Sequence, residues 1–164
     1  MAELTVLESK LGEVLGLAMA AQAATSKVAS MLADDEHSLA QKLERMREEA
    51  AETEERCIAL AGEVEGKKTA ILDQARETKG EAAAMMNTYL KGEDDALDGF
   101  EFLTMAEAGE VGHWSIVGKL NERAGNDQIA KLVAWALPVQ RRHYETVLSG
   151  SLELASDEDP YEPA

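Results

Sequence analysis

The chain has 164 residues, with 16 Lys plus Arg against 32 Asp plus Glu and a net charge of −16. That length suits one domain able to hide about two-thirds of its unfolded surface, and the charge repels phosphate backbones and anionic lipid, excluding nucleic acid as a partner. A single cysteine, Cys57, excludes an internal disulfide and fits a reducing compartment. With no basic leader and no run of ~18 apolar residues, the expectation is a cytoplasmic protein without a membrane span.

Helix formers dominate, and only three prolines occur, two of them near the C-terminal end. From about residue 3 to 32, Leu4, Leu7, Leu11, Val14, Leu15, Ala18, Thr25, Val28 and Leu32 recur at helical spacing, with Gln22 on the same stripe. Gly12 and Gly16, four apart on this first helix, allow close packing of a neighbour. Asp34, Asp35 and Glu36 offer caps for a second helix with a stripe from Leu39 to Val64 that includes Thr53 and Cys57. The short loop makes these two an antiparallel hairpin.

A connection of about 28 residues follows, with a weaker pattern (Ile71, Leu72, Ala75, Ala82, Met85, Met86, Leu90) broken at Lys79-Gly80, and reads as one or two helices. A third bundle helix opens after Gly92-Glu93-Asp94-Asp95 and stops at Gly125-Asn126-Asp127, which caps a fourth. Residues 156–164 form an acidic, proline-punctuated tail expected to be disordered, which offers a docking peptide for a protein partner. The predicted fold is all-α, one domain over residues 1–155: a ferritin-like four-helix bundle of two antiparallel hairpins joined by a long crossover that contains additional helix.

Function is sought on the last two helices, where Glu110-Val-Gly-His113 and Gln140-Arg-Arg-His143 stand on otherwise apolar stripes. A Glu-x-x-His on each of two helices is how a bundle builds a dinuclear carboxylate site. Counted from the hairpin loops at ~1.5 Å per residue, Glu49, Glu110 and Gln140 share a level in mid-bundle. Glu107, Glu110, His113, Gln140 and His143 each replace an apolar residue, and burying them requires pairing or coordination. Gly109 and Gly112 flank Glu110 inside the helix, which suggests a close backbone or a bulge. Pro138 suggests a bend that re-aims Gln140 and His143, or alternatively the start of a separate helix. The acid-rich composition makes one Glu-x-x-His ordinary by chance, as Asp34-x-x-His37 illustrates.

The order of Glu52-Thr53 on the second helix, Gly66-Lys67-Lys68 in the connection, Asp98 before the third stripe, His113-Trp114 on it and a Gly125-Asn126 turn resembles the bacterial stress-associated ferritin-like proteins of unknown function. The resemblance spans most of residues 1 to 155 and implies a ferritin-like bundle, commonly dimeric, with a di-iron-type carboxylate site. Residue by residue it implies Glu52, with Glu49 one turn earlier, and His113 as ligands. It departs at Gly112 and Ser115, where acids are expected, and at Gln140, where the fourth-helix acid is expected.

The expected metal set is therefore Glu49 or Glu52, Glu110, His113 and His143 as ligands, Glu107 bridging or supporting, and Gln140 and Tyr144 orienting. Iron, or manganese as second choice, would serve iron oxidation or peroxide and stress protection. Two amides, Gln140 on the fourth helix and Gln22 as the one such group on the first helix's stripe, in place of carboxylates weaken such a site. The competing expectation is a non-catalytic dimeric structural or interaction module with a degraded metal site, in which His113, Trp114, His143 and Tyr144 cluster and Arg141 or Arg142 pairs with Glu49. No glycine-rich phosphate loop or serine elbow is present. The seven methionines, Met19, Met46, Met85, Met86 and Met105 among them, read as core fillers.

Overall fold

A computed structural model describes residues 2–163, and among these every regular element is a helix. They are α1 (Val6–Ala29), α2 (His37–Glu63), α3 (Lys68–Leu90), α4 (Ala96–Ala124) and α5 (Asp127–Ser156).

Local chemistry sets the ends. Thr5 and Glu8 close a capping box that satisfies donors at the start of α1. Asp95 accepts from Leu97 N–H at α4, and Asn126 accepts from the Gln128 and Ile129 N–H groups at α5. Gly125, at φ 66°, ends α4 in the left-handed conformation that a side chain resists. The start of α2 departs from expectation. Glu36 makes no capping bond to the helix; its carboxylate instead accepts from Ala33 N–H at 3.0 Å, tying down the loop.

The connection is one helix. Lys79 and Gly80 lie within α3 because Gly80 is exposed, nothing crowds it, and a single glycine costs a helix only about 1 kcal/mol. α5 likewise runs unbroken through Pro138, so no separate helix begins there.

Four helices close a ring of contacts: α1 packs on α2 and α4, and α5 packs on α2 and α4, while α3 lies against α1. Residue pairings give the directions. Gly12 faces Ile71 and Gly16 faces Ala75, so α1 and α3 are parallel. Gly99 meets Val28 whereas His113 reaches Glu13, so α1 and α4 are antiparallel. α2 and α4 therefore run the same way, which requires α3 to carry the chain back along the full length of α1.

Gly12 and Gly16 have the role their spacing suggested. A Cβ on Gly12 would stand 2.9 Å from the Ile71 carbonyl oxygen, and one on Gly16 would overlap that of Ala75. Gly109 and Gly112 do not: an added Cβ at either meets open space, so no close backbone accounts for them.

The apolar core is in two parts. One holds Leu11, Leu15, Cys57, Ile71, Trp114 and Val117; the other holds Val28, Leu43, Met46, Phe100, Leu103 and Val147. Between them runs a polar belt.

Candidate functional site: a buried polar belt and the cleft beside it

Each of the four ring helices contributes a polar group at mid-height. α5 supplies Gln140 and His143, 5% and 4% exposed, and α4 supplies Glu107 and Glu110, 1% and 6% exposed. α2 brings Glu49 and α1 brings Gln22, whose amide donates to Glu54. Glu107, Glu110, Gln140 and His143 occupy the inward positions of helices with 3.6-residue periodicity, so their burial follows from where they sit, while Glu49 and Gln22 are partly buried at the edge of the belt.

The bonding is largely closed within the protein. Gln140 Nε2 donates to Glu107 Oε2. His143 Nε2 lies 2.8 Å from Glu49 Oε2 and must donate, because a carboxylate can only accept. His143 Nδ1 stands 3.7 Å from Glu107 Oε2. Glu49 also accepts from Arg45 Nε at 2.7 Å and from Arg142. Burial raises the Glu49 carboxyl, but the bonds from Arg45, His143 and Arg142 and the His143 charge outweigh it and leave the group below its ordinary range.

Glu110 is the exception. Burial first, and then the charge of Glu107, hold its carboxyl well above the ordinary range, with no hydrogen bond or cation offsetting them. Its side chain lines a cleft between α1, α3 and α4. That cleft, about 200 Å³, is walled by Ala20, Ala21, Ala83, Met86, Phe102 and Leu103, with Glu107 and Glu110 as its buried polar groups.

Two expected residues stand elsewhere. Glu52 is half-exposed and pairs with Arg56 at 2.7 Å. His113 is also half-exposed; its Nδ1 donates to the Gly109 carbonyl at 2.8 Å, and its Nε2 lies 3.6 Å from Glu13. His113 therefore leaves the inward stripe, while its neighbour Trp114 is buried in the apolar core. Of the residues expected to cluster, Trp114 packs in the apolar core, His113 turns to Gly109 and Glu13, and His143 bonds to Glu49, adjacent helical residues diverging by ~100°. The pairing of Arg142 with Glu49 does form.

Iron or manganese fits this arrangement poorly. The two nitrogens of one imidazole point apart, so Glu49 and Glu107, each addressed by a different nitrogen of His143, cannot join it around one ion. Glu107 is already engaged by the Gln140 amide, and Glu110, Glu52 and His113 face other surroundings. Among the described residues no group of three or more His, Cys, Asp or Glu side chains is placed to hold a metal ion. The chain matches no protein-family model, no curated protein and no solved structure. The resemblance to ferritin-like proteins thus rests on the residues that suggested it.

Sequence reasoning missed the cleft. Its signal was the run of small residues Ala18, Ala20, Ala21, Ala23 and Ala24 on α1, set against Ala82, Ala83 and Ala84 on α3. Two facing helices poor in side-chain volume leave space between them. Met85 and Met105, read as core fillers, are 52% and 40% exposed, and both line this cleft. Among the described residues no helix is long and apolar enough to cross a membrane.

Proposed function

We propose that the protein is a non-catalytic helical module of ferritin-like architecture, in which the level a metal centre would occupy is filled by a hydrogen-bonded polar belt. The ferritin-like reading is supported by the parallel course of α2 and α4, joined by a long crossover. The loss of metal chemistry is supported by one observation above the rest: the Gln140 amide donates to Glu107. An amide there supplies a donor where a metal needs an anionic acceptor, and it neutralises nothing. Such a belt specifies helix register, since the bonds among Gln140, Glu107, His143, Glu49 and Arg142 form only in one alignment.

The module acts as a dimer or docks another protein. Leu148 and Leu152, one turn apart on α5, are 37% and 65% exposed and give an apolar contact face.

The test is thermal unfolding of purified apoprotein with and without ferrous iron or manganese. A ligand bound by the native state alone must raise stability, so the melting temperature is expected to stay within about 1 °C of the metal-free value. A rise of several degrees, saturating at one or two ions per chain, would restore the reading as an iron or manganese protein in oxidation or stress protection. Sedimentation tests the contact face: a dimer weakened by Leu152→Glu is expected, and a monomer at all concentrations argues against self-association.

A further inference from the structure

The cleft between α1, α3 and α4 combines three properties. Its walls are almost wholly apolar and built largely of alanine and methionine. Its volume, about 200 Å³, exceeds the ~150 Å³ of an apolar cavity that accepts benzene. A carboxyl group, Glu110, lines it at 6% exposure without a protein partner, beside a second carboxyl, Glu107, at 1%.

We propose that this cleft is a binding site for a small primary amine with an aromatic or short aliphatic body, its ammonium group seated on Glu110 and Glu107. Glu110 makes no protein hydrogen bond, and no buried side-chain oxygen is left without a partner among the described residues, so its carboxyl opens onto the cleft and a donor seated there would complete it. An ammonium donates three hydrogen bonds and cancels the repulsion between the two acids, which a neutral alcohol does only in part and a carboxylate makes worse. The apolar body then covers the alanine and methionine walls, with Met85 and Met105 adapting at the mouth as flexible thioethers do.

Two cationic or titratable groups also border the cleft, Lys79 and His113. Lys79 is exposed and His113 is turned to Gly109 and Glu13, so both act from the solvent side. The buried acids therefore decide the sign of the ligand. The chain's net charge of −16 draws cations toward the surface and further favours an amine.

Calorimetric titration of the full chain with 2-phenylethylamine tests this, with 2-phenylethanol and 3-phenylpropionate as matched ligands. Saturable one-to-one binding of the amine is expected, at least tenfold tighter than either comparison compound. Glu110→Gln is expected to weaken it tenfold or more, and Ala83→Leu, which fills the cleft from a partly exposed position, to abolish it. Thermal melts verify that both variants fold. In methyl spectra of the wild type, the amine is expected to shift Met85 and Met86 and leave Met46, in the core, unmoved. The proposal is overturned by absence of saturable binding, by equal affinity for the alcohol or the acid, or by binding that survives Ala83→Leu.

Discussion

Glu107 and Glu110, three residues apart on one helix, line the same cleft but differ in their partners. Glu107 receives the Gln140 amide, whereas Glu110 faces the cleft with burial and its neighbour's charge against ionisation. Removing Glu107 alone, as Glu107→Ala, strands the Gln140 amide and is expected to cost about 1–3 kcal/mol in urea unfolding. Replacing Glu107 and Gln140 together with Leu and Met is expected to be neutral or stabilising, as for other buried polar pairs; equal losses in both variants would contradict it. Glu110 sets a pH dependence. Its folded carboxyl titrates above the ordinary value of 4.5, so the unfolded chain loses that proton first. Stability from this group is complete below 4.5 and declines as pH rises from there through the raised folded value. Glu110→Gln is expected to remove that decline, measured as unfolding free energy against pH; an unchanged profile would refute the assignment. Glu49 has the opposite sign, its contribution being lost as pH falls below the ordinary range. Cys57 is fully buried, and burial, then the charge of Glu54, pushes its thiol up to about 12. It is expected to resist a thiol reagent in the native protein and to react on unfolding.

Among the elements, α4 shows how far periodicity carries. Its inward positions Leu103, Glu107, Glu110, Trp114 and Val117 are buried as the stripe required, but His113, one residue from Trp114, falls outside it. A stripe read from sequence is wide enough to admit both neighbours, and only packing decides between them. The glycines divide in the same way. Gly12 and Gly16 sit against the α3 backbone, while Gly109 and Gly112 face open space, and no sequence pattern separates the pairs. Gly112→Ala is expected to stabilise the protein by up to about 1 kcal/mol through helix propensity. Gly16→Ala is expected to destabilise it by more than that, because the new methyl overlaps the Ala75 carbonyl and the close α1 to α3 contact must open. Denaturant midpoints of the two variants check both signs.

For the whole molecule, the four bundle helices and several of their ends were legible because caps and 3.6-residue spacing are local, whereas the spacing in the connection admits one helix or two and the start of α2 lacks the expected side-chain cap. Asn126, Gly125 and Asp95 mark ends from their own chemistry. What was hidden depended on which helices share a face. The long connection was readable as helix, but not its seat against α1, and so neither the cleft nor the place of Glu110 on its wall could be foreseen. Of the three groups expected at one level, Glu49, Glu110 and Gln140, the first and last are linked through His143 and Glu107, while Glu110 joins by no hydrogen bond. On the proposed reading, hydrogen bonds and an ion pair hold this level in place of a metal. The most direct measurement is elemental analysis after anaerobic incubation of purified apoprotein with excess ferrous iron, followed by desalting. Well under 0.1 iron per chain is expected, equal in wild type and in His143→Ala, because no ligand set converges there. One or two irons per chain, lost in His143→Ala, would contradict the account.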